Sequence, residues 1–289
     1  MRNIHFIINK LSPKANIIEQ TVLKEVDCSL FSITFKLSEY KGHAIELTKA
    51  SVKEGVDAVV ACGGDGTINE VAQCLVHTET ALAIIPVGSG NGLARHLRIP
   101  TEISKALATL QKFESKKIDV GQADEHLFFC NISFAFSAQV IHCYDDLPKR
   151  GFKAYSQALF NAISIFTYKF FQVQEQNSTT KVTPFVLMVS NTDQLGYNKT
   201  LTPDASLFDG KLDLIYVERY KPIFLGFFMF FALFRKFPPF VKVNRKQLKE
   251  VTLTCEKAPV NIQIDGEKLI LKKPSAKIIL IPKAITVIC

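Results

Sequence analysis

Residues 57–70 read Asp57-Ala-Val-Val-Ala-Cys-Gly-Gly-Asp-Gly-Thr-Ile-Asn-Glu70, and their punctuation decides the fold. The apolar run Ala58–Ala61 ends in Gly63, Gly64, Asp65 and Gly66. Beyond them Ile68, Val71, Ala72 and Leu75 recur at i, i+3, i+4 and i+7, which is one face of a helix. The pattern is strand, glycine turn, helix. Glycines let backbone amides point into a common space and let a ligand approach closely. The helix N-terminus adds unpaired N–H groups and a partial positive charge, so the turn suits phosphate. Asp65 would repel that phosphate unless a cation lay between them, which points to a metal-nucleotide. Thr67-x-x-Glu70 also fits a capping box, so Glu70 is read both as a loop residue and as a cap.

The pattern repeats on either side. Asn3–Asn9 reads as a strand, Ile17–Val26 as a helix, Phe31–Leu37 as a strand and His43–Lys53 as a helix. Ala81–Ile85 is a further strand and Ile103–Phe113 a further helix. Alternating strands and helices with short connections predict a parallel, doubly wound sheet, whose ligands bind outside the carboxyl ends of the strands. The turns at 10–14, 38–42, 63–66 and 87–91 lie at that edge. The last, Pro86-Val-Gly-Ser-Gly-Asn-Gly-Leu-Ala-Arg95, is a second glycine loop between strand and helix. Gly88, Gly90 and Gly92 supply freedom, Ser89 and Asn91 supply polar side chains, and Arg95 stands about one helical turn on. Two such loops on successive strands are far more specific than one. No GxxxxGK[S/T] occurs, which excludes an ordinary P-loop enzyme.

The chain has 289 residues, 47% of them hydrophobic, a net charge of +8 and a pI near 9.0. That length allows two domains, and the charge favours anionic partners. Without tryptophan or a long Lys/Arg run, nucleic acid is not expected among them. Seven scattered cysteines with no CxxC pair, and no signal peptide, fit a cytoplasmic protein. The most apolar segment, Ile223–Phe234, falls short of the ~20 residues a membrane span needs.

Gly63-Gly-Asp-Gly-Thr67, with Asn69 and Glu70 after it, resembles the nucleotide loop of the diacylglycerol kinase catalytic-domain family, which includes bacterial lipid kinases and sphingosine kinases. Pro86-x-Gly-Ser-Gly-Asn91 resembles its second loop, in the form of the sphingosine kinase branch. The resemblance implies ATP held by Gly63, Gly64, Asp65, Gly66, Thr67, Asn69, Glu70, Gly88, Ser89, Gly90 and Asn91. Ser38 stands at the family's Thr/Ser position after the second strand. The first-strand loop departs: Asn9-Lys10-Leu11-Ser12-Pro13 stands where the family has Asn-Pro-x-Ser-Gly.

From Lys116 onward strand-like runs dominate: 118–123, 127–136, 183–189, 211–217, 248–254, 259–264, 268–271 and 277–281, with helical insertions near 151–171 and 222–235. The expected architecture is an α/β nucleotide domain over 1–116 and a β-sandwich-like domain over 117–289, with a cleft between them and the C-terminal tail a candidate to return to the first. Asp124-Glu125 and Asp265-Gly-Glu267 look like hairpin turns. Pro203-Asp-Ala-Ser-Leu-Phe-Asp-Gly-Lys-Leu-Asp213 is similar to the family's Pro-x-Ala-x-x-x-Asp-Gly-x-Leu-Asp, which implies Mg2+ at Asp209, helped by the carbonyls of Ser206 and Lys211. The resemblance assigns the general base to the 265–267 turn, with Glu267 and Asp265 as candidates; Asp65, a third catalytic candidate, is expected to hold magnesium or orient the transferring group. In Asn131-Ile-Ser-Phe-Ala-Phe-Ser-Ala138, Ala135 and Ser137 replace the family's Gly and Asp.

These features imply an ATP-dependent lipid kinase acting on diacylglycerol, a sphingoid base or ceramide. The alternatives are a NAD kinase-like enzyme, which shares Gly-Gly-Asp-Gly, and a non-catalytic nucleotide-binding protein at a membrane. The phenylalanine-rich stretch and its following basic residues, 223–236, are expected either to touch an anionic membrane peripherally or to be core. A homodimer is compatible with this reading.

Overall fold

The structure is a computed structural model describing residues 1–148, 151–176, 178–195, 200–219 and 242–289. The chain divides into two units: Met1–Asp119 with Pro282–Cys289, and Val120–Ile281.

The first unit contains β1 (Arg2–Asn9), α1 (Ala15–Glu25), β2 (Phe31–Ser38), α2 (His43–Lys53), β3 (Ala58–Gly63), α3 (Asp65–Leu75), β4 (Ala81–Pro86), α4 (Gly92–His96) and α5 (Ile103–Lys112), and ends in the start of β5 (Ser115–Ala123). Its strands run parallel in the order β2-β1-β3-β4, and the end of the last strand, β16 (Ser275–Ile288), lies parallel to β4 with Val287 opposite Leu82. β3 and β4 are buried at every position, as continuous apolar strands covered on both faces must be. β1 steps to β2 in one direction, while β2 to β3 and β3 to β4 step in the other. Right-handed crossovers therefore put α1 on one face and α2 and α3 on the opposite one. Accordingly α1 packs beside α5, and α2 beside α3. The chain direction reverses between β1 and β3, and such a switch point is where ligands of these sheets bind.

The second unit is antiparallel. One sheet runs β12 (Val243–Leu248), β11 (Leu212–Glu218), β10 (Pro184–Ser190), β7 (Asn131–Phe134), β14 (Val260–Ile264), β15 (Glu267–Leu271). In the other, the start of β16 pairs β13 (Glu250–Cys255), which pairs β8 (Phe171–Glu175), which pairs β9 (Ser178–Val182); β5 pairs β6 (His126–Phe128). Alternation along β11 sends Leu212, Leu214 and Tyr216 into a core shared with Phe171, Leu253 and Ile278. It sends Ile215 and Val217 into a second core beneath α6 (Ala135–Asp145) and α7 (Phe152–Ile165). The sheet is thus covered on both faces.

Three sequence expectations need correction. The run 127–136 is not one strand: β6 and β7 are separate, and α6 starts at Ala135, whose φ is +57°. An apolar run of that length is ambiguous between strand and helix, and the left-handed residue that switches them leaves no mark in it. The strands β9 and β12 were missed because Ser178-Thr-Thr-Lys-Val182 and Val243-Asn-Arg-Lys-Gln-Leu248 are polar edge strands without an apolar face. Helix α3 begins at Asp65, not Thr67, so Thr67 cannot be its N-cap. The phenylalanine-rich stretch lies outside the described residues.

Candidate active site

The capping box expected at Thr67 and Glu70 does not form. The N-cap of α3 is Gly64 and carries no side-chain cap, so the amides of Asp65, Gly66 and Thr67 stand in the helix's first turn without an intrahelical acceptor. Glu70 instead accepts the Gly42 amide at 2.8 Å and ties the β2–α2 turn to α3. Thr67 Oγ1 accepts from Asn9 Nδ2 at 3.4 Å, joining the carboxyl ends of β1 and β3 across the switch point. Asn69, two residues beyond Thr67 in α3, is half-buried.

The second glycine loop closes against the first. A Cβ on Gly88 would sit 2.5 Å from the Gly64 Cα, so the two backbones touch and Gly88 has no room for a side chain; one on Gly64 would stand 3.3 Å from the Gly88 Cα. A Cβ on Gly63 would meet Thr67 at 2.4 Å, and one on Gly90 would meet Asp65 Oδ2 at 2.5 Å. The Asp65 carboxylate fastens this contact by accepting the amides of Asn91 at 2.8 Å and Gly92 at 2.6 Å, at the start of α4. Asn91 is in the left-handed region (φ +54°), and its Nδ2 donates to the Gly88 carbonyl at 2.8 Å. Its Oδ1 is buried and has no hydrogen-bond partner among the described residues. Arg95, read as an anion contact, uses Nε to hold the Gly90 carbonyl at 2.8 Å. Ser89 is exposed at the loop's tip, and Ser38 is buried at the end of β2.

The atypical first-strand loop is held by its own polar groups. Asn9 Oδ1 accepts the Leu11 amide at 2.9 Å, and Lys10 N–H donates to the Ser38 carbonyl at 2.9 Å. The Lys10 ammonium lies 2.6 Å from Glu39 Oε1 and holds that carboxyl below its ordinary range, so it is engaged with the β2–α2 turn. Asn9 and Glu39 were not singled out in the sequence. Asn9 reaches Thr67, 58 residues away, and Glu39 reaches Lys10, 29 away, and no spacing rule exposes such partners.

In the second unit, Asp209 Oδ1 accepts the Lys211 amide at 3.1 Å over Gly210 (φ +70°), and Ser206 Oγ accepts the Phe208 amide at 3.3 Å. Asp213, four residues on, was quoted in the motif but given no role. Burial raises its pKa, and the Asp209 and Asp204 carboxylates raise it further, against a lowering by the Gln247 hydrogen bond. Its Oδ2 is buried without a hydrogen-bond partner among the described residues. Among those residues no group of three or more His, Cys, Asp or Glu converges to hold a metal ion on its own.

The turn joining β14 to β15 has Asp265 at φ +48° and Gly266 at φ +86°, the signature of a two-residue type I′ hairpin. Asp265 turns its carboxylate into the protein. It accepts the amides of Phe129 at 2.7 Å, Cys130 at 2.8 Å and Asn131 at 2.9 Å. Glu267, the first residue of β15, is exposed. The two candidate bases therefore differ in kind: one is an acceptor for buried backbone, the other presents its carboxylate to solvent.

Residues 3–123 match the family of the diacylglycerol kinase catalytic domain, and residues 130–289 match the YegS C-terminal NAD kinase beta sandwich-like domain. A probable lipid kinase YegS-like of Chromohalobacter salexigens is 29% identical over 188 residues, a match spanning 63% of this chain and 60% of that protein. A diacylglycerol kinase of Staphylococcus saprophyticus is 25% identical over 253 residues, covering 85% of this chain and 82% of its own. In fold, the crystal structure of a diacylglycerol kinase from Bacillus anthracis superposes with a TM-score of 0.76 at 18% identity, over 99% of this chain and 96% of that one. An NAD kinase from Archaeoglobus fulgidus in complex with ATP reaches a TM-score of 0.55 at 12% identity, over 100% of this chain and 94% of that one.

Proposed function

We propose that this chain, which belongs to the family of the diacylglycerol kinase catalytic domain and carries that family's YegS-type C-terminal domain, is an ATP-dependent lipid kinase. The observation that carries the reading is the double glycine loop. Gly64 and Gly88 touch, Asp65 locks the contact, and the first-turn amides of α3 stand beside it as a cradle that only glycines permit. Such a cradle suits the phosphates of a nucleotide. The buried, partnerless Asn91 Oδ1 is an acceptor that a donor from the ligand would satisfy.

The reaction moves one phosphoryl group. A lipid hydroxyl oxygen forms a bond to the γ-phosphorus of ATP, the bond to the β,γ-bridging oxygen breaks, ADP leaves, and the hydroxyl proton passes to a base. Positioning and charge neutralisation supply most of the acceleration in such transfers. Here the α3 amides orient the phosphates, and Asp65 acts by holding Asn91 and Gly92 in place. Glu267 takes the proton, since Asp265 spends its oxygens on three backbone amides. Magnesium fits the 204–213 segment: Asp213 has a buried, unpartnered oxygen, and the neighbouring carboxylates of Asp209 and Asp204 add negative charge that a single guanidinium, Arg245, offsets in part. Asp209, with the carbonyls of Ser206 and Lys211, would hold it, and when bound it supplies neutralisation of phosphate charge.

The acceptor is a membrane lipid of the diacylglycerol, sphingoid-base or ceramide type, reached peripherally at an anionic surface that the net charge of +8 favours. Among the described residues no helix is long and apolar enough to cross a membrane. Incubation with γ-labelled ATP and mixed lipid vesicles tests the reading. Label is expected in an organic-extractable product, and Glu267→Gln should reduce it by about 1,000-fold or more with an unchanged melting curve. Label appearing instead in soluble dinucleotide would establish the NAD kinase alternative.

A further inference from the structure

We infer that Gln263, acting with Asn131, is the positioning residue that fixes the turn carrying Glu267; the inference rests on the reading of Glu267 as the base. In a two-residue hairpin the ladder leaves the amide of the second turn residue, here Gly266, without a backbone acceptor. Gln263 supplies one. Its Oε1 accepts the Gly266 N–H at 2.7 Å, while its Nε2 donates to Asn131 Oδ1 at 2.6 Å. Asn131 returns to the turn through its backbone, donating N–H to Asp265 Oδ1 at 2.9 Å and accepting the Asp265 N–H at 2.9 Å. The bonds close a ring from Gln263 through Gly266, Asp265 and Asn131 back to Gln263.

Burial gives this ring its rigidity. Gln263 is 5% and Asn131 6% exposed, so water cannot readily replace a lost partner. A buried polar group left without its bond costs about 1–3 kcal/mol, which resists every displacement of the turn. The ring also reaches the chain that leads into the 200–213 segment. Asn131 Nδ2 donates to the Gln194 carbonyl at 3.0 Å, the amides of Asn191 and Thr192 donate to the Cys130 carbonyl at 2.8 and 3.2 Å, and Thr202 Oγ1 donates to the Thr192 carbonyl at 3.2 Å. One buried polar frame therefore ties the turn bearing Glu267 to the two ends of β7 and β10. Neither strand patterning nor the need for a core demands Gln or Asn here, because Ile262 and Ile264 already serve the apolar face.

Gln263→Met keeps length and adaptability while removing both bonds, and Gln263→Glu, whose carboxyl burial favours in the neutral form, keeps an acceptor for the Gly266 amide and an O–H donor for Asn131 Oδ1. Amide hydrogen exchange and lipid-kinase kinetics on the full chain read the outcome. In Gln263→Met, exchange over residues 264–268 should rise about 10-fold without change elsewhere in the second unit. Its kcat should fall about 10- to 100-fold with the KM for ATP unchanged, and Gln263→Glu should recover most of the loss. Equal loss in both variants, exchange raised throughout the second unit, or full activity in Gln263→Met while Glu267→Gln is inactive would each overturn the inference. Should Gln263→Met fail to fold, faster exchange of the Gly266 amide in Gln263→Glu than in the parent overturns it as well. If Glu267→Gln turns over like the parent, the assignment of the base fails, and it does so independently of the exchange result at Gly266.

Discussion

Two of the turns that carry an aspartate beside a glycine, at 63–66 and at 265–266, use their glycines differently and their aspartates alike. At Gly63 and Gly64 the glycines are there for closeness: an added Cβ would collide with Thr67 at the first and crowd the facing Gly88 at the second. At Asp265–Gly266 there is open space around the glycine, and what it supplies is φ +86°. The aspartates, by contrast, converge on one role. Asp65 accepts two backbone amides from 26 and 27 residues away, and Asp265 accepts three from 134 to 136 away. Asp119 does the same in the first unit, accepting the Lys283 amide at 2.7 Å and holding the returning C-terminal strand. An acid in a glycine turn, which reads in a sequence as chemistry, is in each turn first a clip between distant segments.

The glycine half of the contrast predicts the largest effect on nucleotide binding. Gly88→Ala would push its methyl into the Gly64 backbone, which has no flexible end to move aside, so the two loops must separate. Affinity for a non-hydrolysable ATP analogue, measured calorimetrically, should fall about 100-fold or more. Gly266→Ala meets no atom and suffers only the left-handed backbone, costing about 1–2 kcal/mol of stability and no nucleotide affinity. Comparable nucleotide affinities in the two variants would erase the distinction between glycine for closeness and glycine for φ.

The aspartate half predicts graded stability losses. Removing the acceptor strands the amides it served, at about 1–3 kcal/mol for each that stays buried. Asp265→Ala, with three amides, should destabilise the second unit by about 3–5 kcal/mol, and Asp65→Ala, with two and a more open loop, the first by about 2–3 kcal/mol. Urea unfolding followed by hydrogen exchange separates the two units. A parent-like stability for Asp65→Ala would return that carboxylate to the ligand side of the loop.

These clips mark the limit of what the sequence discloses. The first unit was legible because its information is local: apolar runs of one strand's length, helical periodicity in 68–75, and glycines where the chain turns. The positions of the two glycine loops followed from the same local signals. What Asp65, Glu70, Arg95 and Asp265 hold was not legible, since each acts on backbone donors or acceptors that any residue would offer, at separations no pattern encodes. Glu70 shows the consequence. Its spacing from Thr67 fits a cap, yet the helix starts two residues earlier and the side chain serves Gly42 instead. In the second unit most buried strands were found, but β8, whose start falls in the expected helical insertion 151–171, and the polar edge strands β9 and β12 were not. Edge strands avoid the apolar alternation that would identify them, because that alternation would also invite another strand to pair.

The smallest predicted effect concerns a third use of the left-handed region, at the junction where β7 becomes α6. Phe134 is extended (ψ 179°) and Ala135 has φ +57°, so the chain turns from strand to helix within one residue. A side chain in that conformation costs about 1–2 kcal/mol, of which glycine recovers part while losing about 0.5–1 kcal/mol to its greater freedom when unfolded. Ala135→Gly should therefore stabilise the second unit by about 0.5–1 kcal/mol, a rise of roughly 1–4 °C in its melting temperature. The sign is the informative part. Gly266 shows that open space leaves only the backbone preference to be paid, whereas Ala135 also bridges to Val186 of β10. If Ala135→Gly lowers the melting temperature, the methyl's packing outweighs its strain, and the junction belongs with the tightly packed turns of the first unit rather than with the hairpin at Gly266.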